Sequence, residues 1–160
     1  IKGGFMKTKS FLFFISLLFA GIFLIAYSLN VSGEEASTVS APSDSISESQ
    51  IQVYEDKVII RIPQGAKWAS YTNTKSMSPV LDENSHGIEI VPKSEADIHI
   101  GDIIAYATKY NNIPVVHRVI DIKKDNEGTY YILKGDNNMK RDPENVRFSQ
   151  IRYKLVAVIY

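Results

Sequence analysis

The chain has 160 residues, with 18 Lys and Arg balanced by 18 Asp and Glu, three His and no Cys. That length allows one compact domain plus an appendage. Balanced charge argues against a nucleic-acid binder that works by phosphate neutralisation. The lack of Cys excludes disulfides, thiolate zinc sites, iron–sulfur clusters and a thiol nucleophile.

At the N-terminus, Ile1-Lys2-Gly3-Gly4-Phe5 precedes Met6-Lys7-Thr8-Lys9, which reads as an ordinary start before an apolar segment. Residues 1–5 are therefore expected to be leader sequence. From Phe11 to Leu29 (residues 11–29) the chain carries no charge. A helix of that length spans roughly 29 Å, close to the hydrocarbon core of a bilayer. Lys7 and Lys9 before it predict that residues 1–10 stay in the cytoplasm and that everything after residue 30 lies outside. The competing reading is a cleaved signal peptide with small residues at Ala26-Tyr27-Ser28. The apolar run exceeds the usual ~7–15 residues of such a segment, which favours a retained anchor.

Residues 30–50 read as a flexible, Ser-rich acidic linker. Between Gly33 and Gln50 there are six Ser, four acidic residues, no base and no aromatic side chain. Such a segment buries too little apolar surface to offset its ordering entropy. From 51 to 160 the pattern changes to short β-branched and aromatic runs separated by turn signals. Candidate strands are 52–62, 68–72, 88–91, 102–107, 115–122, 129–134 and 151–159. No stretch beyond the anchor has a helical apolar stripe. Seven strands without βαβ alternation predict a mostly β domain, an antiparallel barrel or paired sheets.

Three places in this domain put reactive side chains at strand ends or turns. They are Thr74-Lys75-Ser76-Met77-Ser78-Pro79, Val115-Val116-His117-Arg118-Val119, and Lys134-Gly135-Asp136-Asn137-Asn138 followed by Asp142. Taken singly they read as a loop serine before a turn proline, a core histidine, and a turn whose Asp and Asn bond their own backbone. Taken together they supply the three types needed to activate an alcohol: a hydroxyl, a base and a group that orients the base. In a period-2 run His117 shares a strand face with Val115 and Val119, and Arg118 points the other way. An imidazole among apolar neighbours favours its neutral form, the state a general base needs. A metal site built from Asp82, Glu83, His86 and His99 lacks ligand spacing, and no cofactor is expected. Trp68 and nearby tyrosines suit either core packing or a bilayer surface.

In order, Ser76-Met77-x-Pro79, Gly101-Asp102-Ile103, His117-Arg118-Val119 and Lys134-Gly135-Asp136-Asn137-Asn138 with Asp142 resemble the boxes of the archaeal and endoplasmic-reticulum type of signal peptidase I. The resemblance implies a coiled, mostly antiparallel β catalytic domain behind one N-terminal transmembrane helix. It implies a serine endopeptidase that cleaves exported or membrane-tethered precursors after small residues. It assigns Ser76 as nucleophile, with its own N–H in the oxyanion hole, and His117 as general base where bacterial relatives carry lysine. Asp142 would orient the histidine and Asp136 would support the active-site loop. Thr74 would donate to the oxyanion, Pro79 would fix a turn, and Met77 would pack under the substrate groove. Asp102 would be a structural hydrogen-bonder, and Arg118 would pair with a carboxylate.

The chain departs from that family in one respect: 46 residues, 30–75, separate the anchor from Ser76, part of them flexible linker and part an extra strand or hairpin at 52–72. Such spacing would let the catalytic centre stand off the bilayer, so tethered proteins fit as substrates as well as signal sequences. Other readings stay open on sequence alone. A Ser–Lys enzyme could use Lys75, Lys93 or Lys134; a histidine base instead predicts activity falling as pH drops through about 6–7. A non-catalytic tethered β-domain could bind an extracytoplasmic partner. A self-cleaving repressor relative lacks a DNA-binding domain. Partner subunits are not legible in the sequence.

Overall fold

A turn in a strand-like run decides the first element. In 52–62 the sequence alternates as one strand would, yet Glu55-Asp56 interrupts it, and the Tyr54 N–H donates to Lys57 O at 2.8 Å. The run therefore folds back as a hairpin, β1 (Ile51–Val53) with β2 (Val58–Ile60), forming a separate two-stranded sheet. These details come from a computed structural model that describes residues 39–109 and 113–160. All of those residues belong to one compact unit, Val39–Tyr160. The expected leader at 1–5, the start at Met6, the anchor at 11–29 and the first part of the linker lie outside the described residues. Among the described residues no helix is long and apolar enough to cross a membrane.

The remaining strands are β3 (Lys67–Ser70), β4 (His86–Ile90), β5 (Ile103–Tyr106), β6 (Val115–Asp125), β7 (Gly128–Lys134) and β8 (Ile151–Ile159). They form one antiparallel sheet in the order β3-β4-β8-β5-β6-β7. The mostly antiparallel β expectation holds, but the closed barrel is corrected. Closure would require the two outer strands to pair with each other; β3 pairs only with β4, and β7 only with β6 plus a single bridge from Tyr131 to Val146. Register shifts at Ile88/Glu89, Ala105/Tyr106 and Val119/Asp121 mark bulges, which bend and twist the open sheet.

The central strand explains why 103–106 is apolar at every position. Ile104 and Tyr106 enter one core with Ile98, Val119, Tyr131, Leu133, Val146 and Ile151. Ile103, on the opposite face, enters a second core with Met77, Leu81 and Leu155. A strand covered on both faces needs no polar side. The second core roots the 71–81 segment on the sheet, and that segment carries the candidate nucleophile.

Residues 39–50, compositionally the end of the linker, make specific polar contacts. The Ser43 N–H and hydroxyl both donate to Asp102 Oδ1 at 2.8 Å, and a short 3-10 turn at Glu48–Gln50 leads into β1. Ser and Asp disfavour a core but readily satisfy one another by hydrogen bonds.

Candidate active site

Strand alternation sends two neighbouring residues of β6 to different partners. His117 and Arg118 are both buried. His117 Nδ1 lies 2.7 Å from Asp142 Oδ2 and 2.9 Å from Oδ1. An ionised carboxylate only accepts, so this geometry assigns the proton to Nδ1 and leaves Nε2 as the acceptor nitrogen. Asp142 is fixed in turn by its own N–H, which donates to Leu133 O at 2.8 Å, and by the Tyr106 hydroxyl, which donates to Oδ2 at 2.8 Å. Burial, followed by the hydrogen bond to Asp142, pushes the Tyr106 phenol above its ordinary range, so it stays a donor.

Arg118 forms a two-pronged pair with Asp136, Nε to Oδ1 at 2.7 Å and Nη2 to Oδ2 at 2.6 Å, and also donates to Gly101 O at 2.8 Å. A planar guanidinium matched to a carboxylate fixes direction as well as distance. Asp136 therefore anchors the loop 135–138. That loop in turn holds the backbone on either side of Ser76: Asn137 N–H donates to Ser76 O at 2.9 Å, and Asn137 Nδ2 donates to Lys75 O at 3.0 Å. Lys75 adopts φ 63°, a left-handed conformation uncommon for a side chain with a Cβ. Local strain of that kind, held by two hydrogen bonds to the flanking carbonyls, sets the direction of the next residue.

Gly135 ties the two halves of the site together. A Cβ there would lie 2.6 Å from Ser76 O and 2.9 Å from His117 Nε2. The backbone of Ser76 and the acceptor nitrogen of His117 thus flank the same point, and only glycine fits between them. Thr74 Oγ1 is 3.1 Å from Ser76 Oγ, so one hydroxyl contacts the other directly. Ser76, His117 and Thr74 line a groove of about 440 Å³ whose other walls include Tyr71, Met77, Leu81, Pro114 and Val116.

Each expected site residue has a definite place. Ser76, His117 and Thr74 come together at the groove, with Asp142 behind the histidine and Asp136 behind the loop. Met77 is buried beneath the groove, while Pro79 is exposed, follows a cis Ser78–Pro79 bond, and is not among the groove-lining residues. Among the described residues lining the groove there is no lysine: Lys75 pairs with Glu83 at 3.8 Å, and Lys134 Nζ donates to Asn138 O at 2.9 Å. Of the four acids and histidines weighed as metal ligands, Asp82 accepts from Asn84 N–H and Ser85 Oγ. His86 stacks on Trp68 with ring centroids 5.0 Å apart. Tyr106 and Gly135 were not singled out by sequence reasoning. A tyrosine in an apolar strand reads as core, and the glycine reads as part of a turn.

No protein-family model matches the chain, and no solved structure matches it. Partial similarity to known proteins is present. An uncharacterised protein of Methanocaldococcus jannaschii is 46% identical over 66 residues, covering 41% of this chain and 30% of that protein. The signal peptidase complex catalytic subunit sec11 of Schizosaccharomyces pombe is 32% identical over 66 residues, 39% of this chain and 35% of that protein. The human catalytic subunit SEC11C is 42% identical over 45 residues, 28% of this chain and 23% of that protein. The chain therefore matches about a quarter to a third of the length of these relatives. The named relatives in these partial matches are catalytic subunits of signal peptidase complexes.

Proposed function

We propose that this chain is a membrane-anchored serine endopeptidase that cuts exported or membrane-tethered precursors after small residues. The observation that carries this reading is the convergence at Gly135, where His117 Nε2 and the Ser76 backbone flank one point while Asp142 holds the other imidazole nitrogen. The second core roots the 71–81 segment and β6–β7 pairing brings His117 near the 135–142 loop, but packing does not require that a hydroxyl, an imidazole and a carboxylate be the groups placed there. A nucleophile–base–orienter set does.

In this mechanism His117 Nε2 takes the Ser76 Oγ proton as the oxygen attacks the scissile carbonyl carbon. The negative charge that develops on the carbonyl oxygen is met by the Ser76 N–H and the Thr74 hydroxyl. The imidazolium, balanced by Asp142, returns its proton to the departing amine, leaving an acyl group on Ser76. Water then gives a proton to Nε2 and attacks the ester, which releases the acid and restores the serine. The Arg118–Asp136 pair acts on this chemistry through the loop it holds.

Residues 11–29 serve as the anchor with residues 1–10 in the cytoplasm, the linker up to Thr38 as the tether and the compact unit Val39–Tyr160 as the extracytoplasmic catalytic domain. The lysines before the apolar run and its length support this arrangement. The test is processing of a precursor in membranes that carry the wild-type chain, Ser76→Ala or His117→Ala. Both substitutions are expected to abolish processing. Unchanged cleavage in either would overturn the reading and favour a tethered β-domain that binds a partner.

A further inference from the structure

We propose that Tyr71 is the specificity-determining wall of the groove beside Ser76, and that Gly87 and Glu89 position it. This deepens the peptidase reading and rests on it. Tyr71 lines the same groove as Ser76 and His117, and it packs against the Met77, Leu81, Ile103 and Leu155 core. Its ring lies over β4 at the one residue there without a side chain. A Cβ on Gly87 would overlap the Tyr71 hydroxyl and come within 2.9 Å of the ring carbon that bears it. Two residues further along β4, the buried Glu89 accepts a hydrogen bond from that hydroxyl at 3.3 Å.

A carboxylate inside a sheet is costly unless it is hydrogen-bonded or paired. Burial pushes the Glu89 carboxyl above its ordinary value, and the Tyr71 bond works in the opposite direction. Burial first, and then the negative charge of Glu89, hold the Tyr71 phenol protonated and donating. The peptidase mechanism uses neither group, and core packing alone asks only for an apolar ring. The polar arrangement fixes the ring at one depth, and with it how far a substrate side chain can enter. A rigid aromatic wall next to the reacting serine selects small residues by excluding branched and longer ones.

The test uses the full chain in detergent and peptides that differ only in the residue before the cut bond: Ala, Val, Leu or Phe. Removing a wall gives back the room of several methylenes, and each accommodated methylene is worth about tenfold or more in specificity. Tyr71→Ala is therefore expected to raise the Leu-to-Ala ratio of kcat/KM by at least about tenfold. Tyr71→Phe keeps the ring but loses the hydrogen bond to Glu89, so it is expected to raise that ratio by about threefold, less than Tyr71→Ala, and a ratio equal to wild type would remove Glu89 from the proposal. Tyr71→Val, shorter than the aromatic ring, is read on the same ratio if the alanine variant fails to fold. A ratio unchanged in the alanine or valine variant, with Ala peptide still cut, overturns this inference and leaves the peptidase reading standing. A folded wild-type chain that cuts none of the peptides overturns both.

Discussion

Asp102 and Asp142 are both buried carboxylates beside the central strands, and their partners make them different devices. Asp102 is 0% exposed and accepts from Ser43 N–H, Ser43 Oγ, His99 N–H and the Lys154 ammonium, all between 2.8 and 2.9 Å. Lys154 in turn donates to Ser43 Oγ and Asp97 O at 2.8 Å, so its three donors are used. Every group in that cluster is saturated. Asp142 accepts from Tyr106 and from an imidazole whose second nitrogen faces the Gly135 point and the groove. A buried carboxylate held by a lysine whose three donors are all used serves structure, and the His99 imidazole stands further off, 3.8 Å from Asp102 Oδ2 on an exposed side chain. A carboxylate paired with a titratable ring that has a further nitrogen at a groove can move a proton.

That contrast can be broken by a double dissociation. Asp142→Asn removes the acceptor that sets the imidazole tautomer and is expected to lower kcat by about 10⁴-fold, with little change in thermal midpoint. Asp102→Ala leaves Lys154 buried without its counter-charge and is expected to cost about 3–5 kcal/mol in denaturant unfolding. The folded fraction of that variant should keep its activity. If Asp102→Ala abolishes activity in folded protein, or Asp142→Asn destabilises without affecting turnover, the division of roles is wrong.

Thr74→Val tests the groove side of the comparison. Loss of one donor to a developing oxyanion costs about 10²–10³-fold in kcat, and Thr74→Ser should restore most of it. An unchanged kcat in the valine variant would remove Thr74 from the chemistry.

The smallest expected effect is on the acid side of stability. Burial alone would raise the Asp102 carboxyl, but the Lys154 ammonium and the hydrogen bonds from His99 and Ser43 hold it below the ordinary range. A depressed folded value stabilises the fold above the unfolded carboxylate value of about 3.9 and loses that contribution as pH falls through the folded value. Unfolding free energy measured from pH 6 down to pH 2 should therefore fall less steeply in Asp102→Asn than in wild type. Identical slopes would mean the cluster contributes no proton linkage.

Much of the site is written in local pattern. Alternation along 115–119 places His117 and Arg118 on opposite faces, and they take different carboxylates as partners. Turn chemistry at 135–138 places the loop, and strand runs at 103–106, 128–134 and 151–159 lie close to their expected limits. What was not legible depends on long-range partners. Nothing in an apolar strand tells that Lys154 buries its ammonium 111 residues away from Ser43. A Ser-rich composition hides the fact that Ser43 itself is a ligand for Asp102. The stretch 52–72 allowed an extra strand or a hairpin, but β-branched residues on both sides of Glu55-Asp56 hid where the turn falls, and barrel closure depends on edge pairing that no local pattern encodes. The role of Gly135 exists only where two loops and a strand meet.

The central claim is that Ser76 becomes a nucleophile because His117 and Asp142 make it one. Incubation of the full chain with an acylating peptide ester, followed by mass spectrometry of the digested protein, tests it most directly. The account predicts a single acyl adduct on Ser76, absent in Ser76→Ala and formed far more slowly in Asp142→Asn. A folded protein that acquires no adduct, or acquires it on another side chain, would contradict the account.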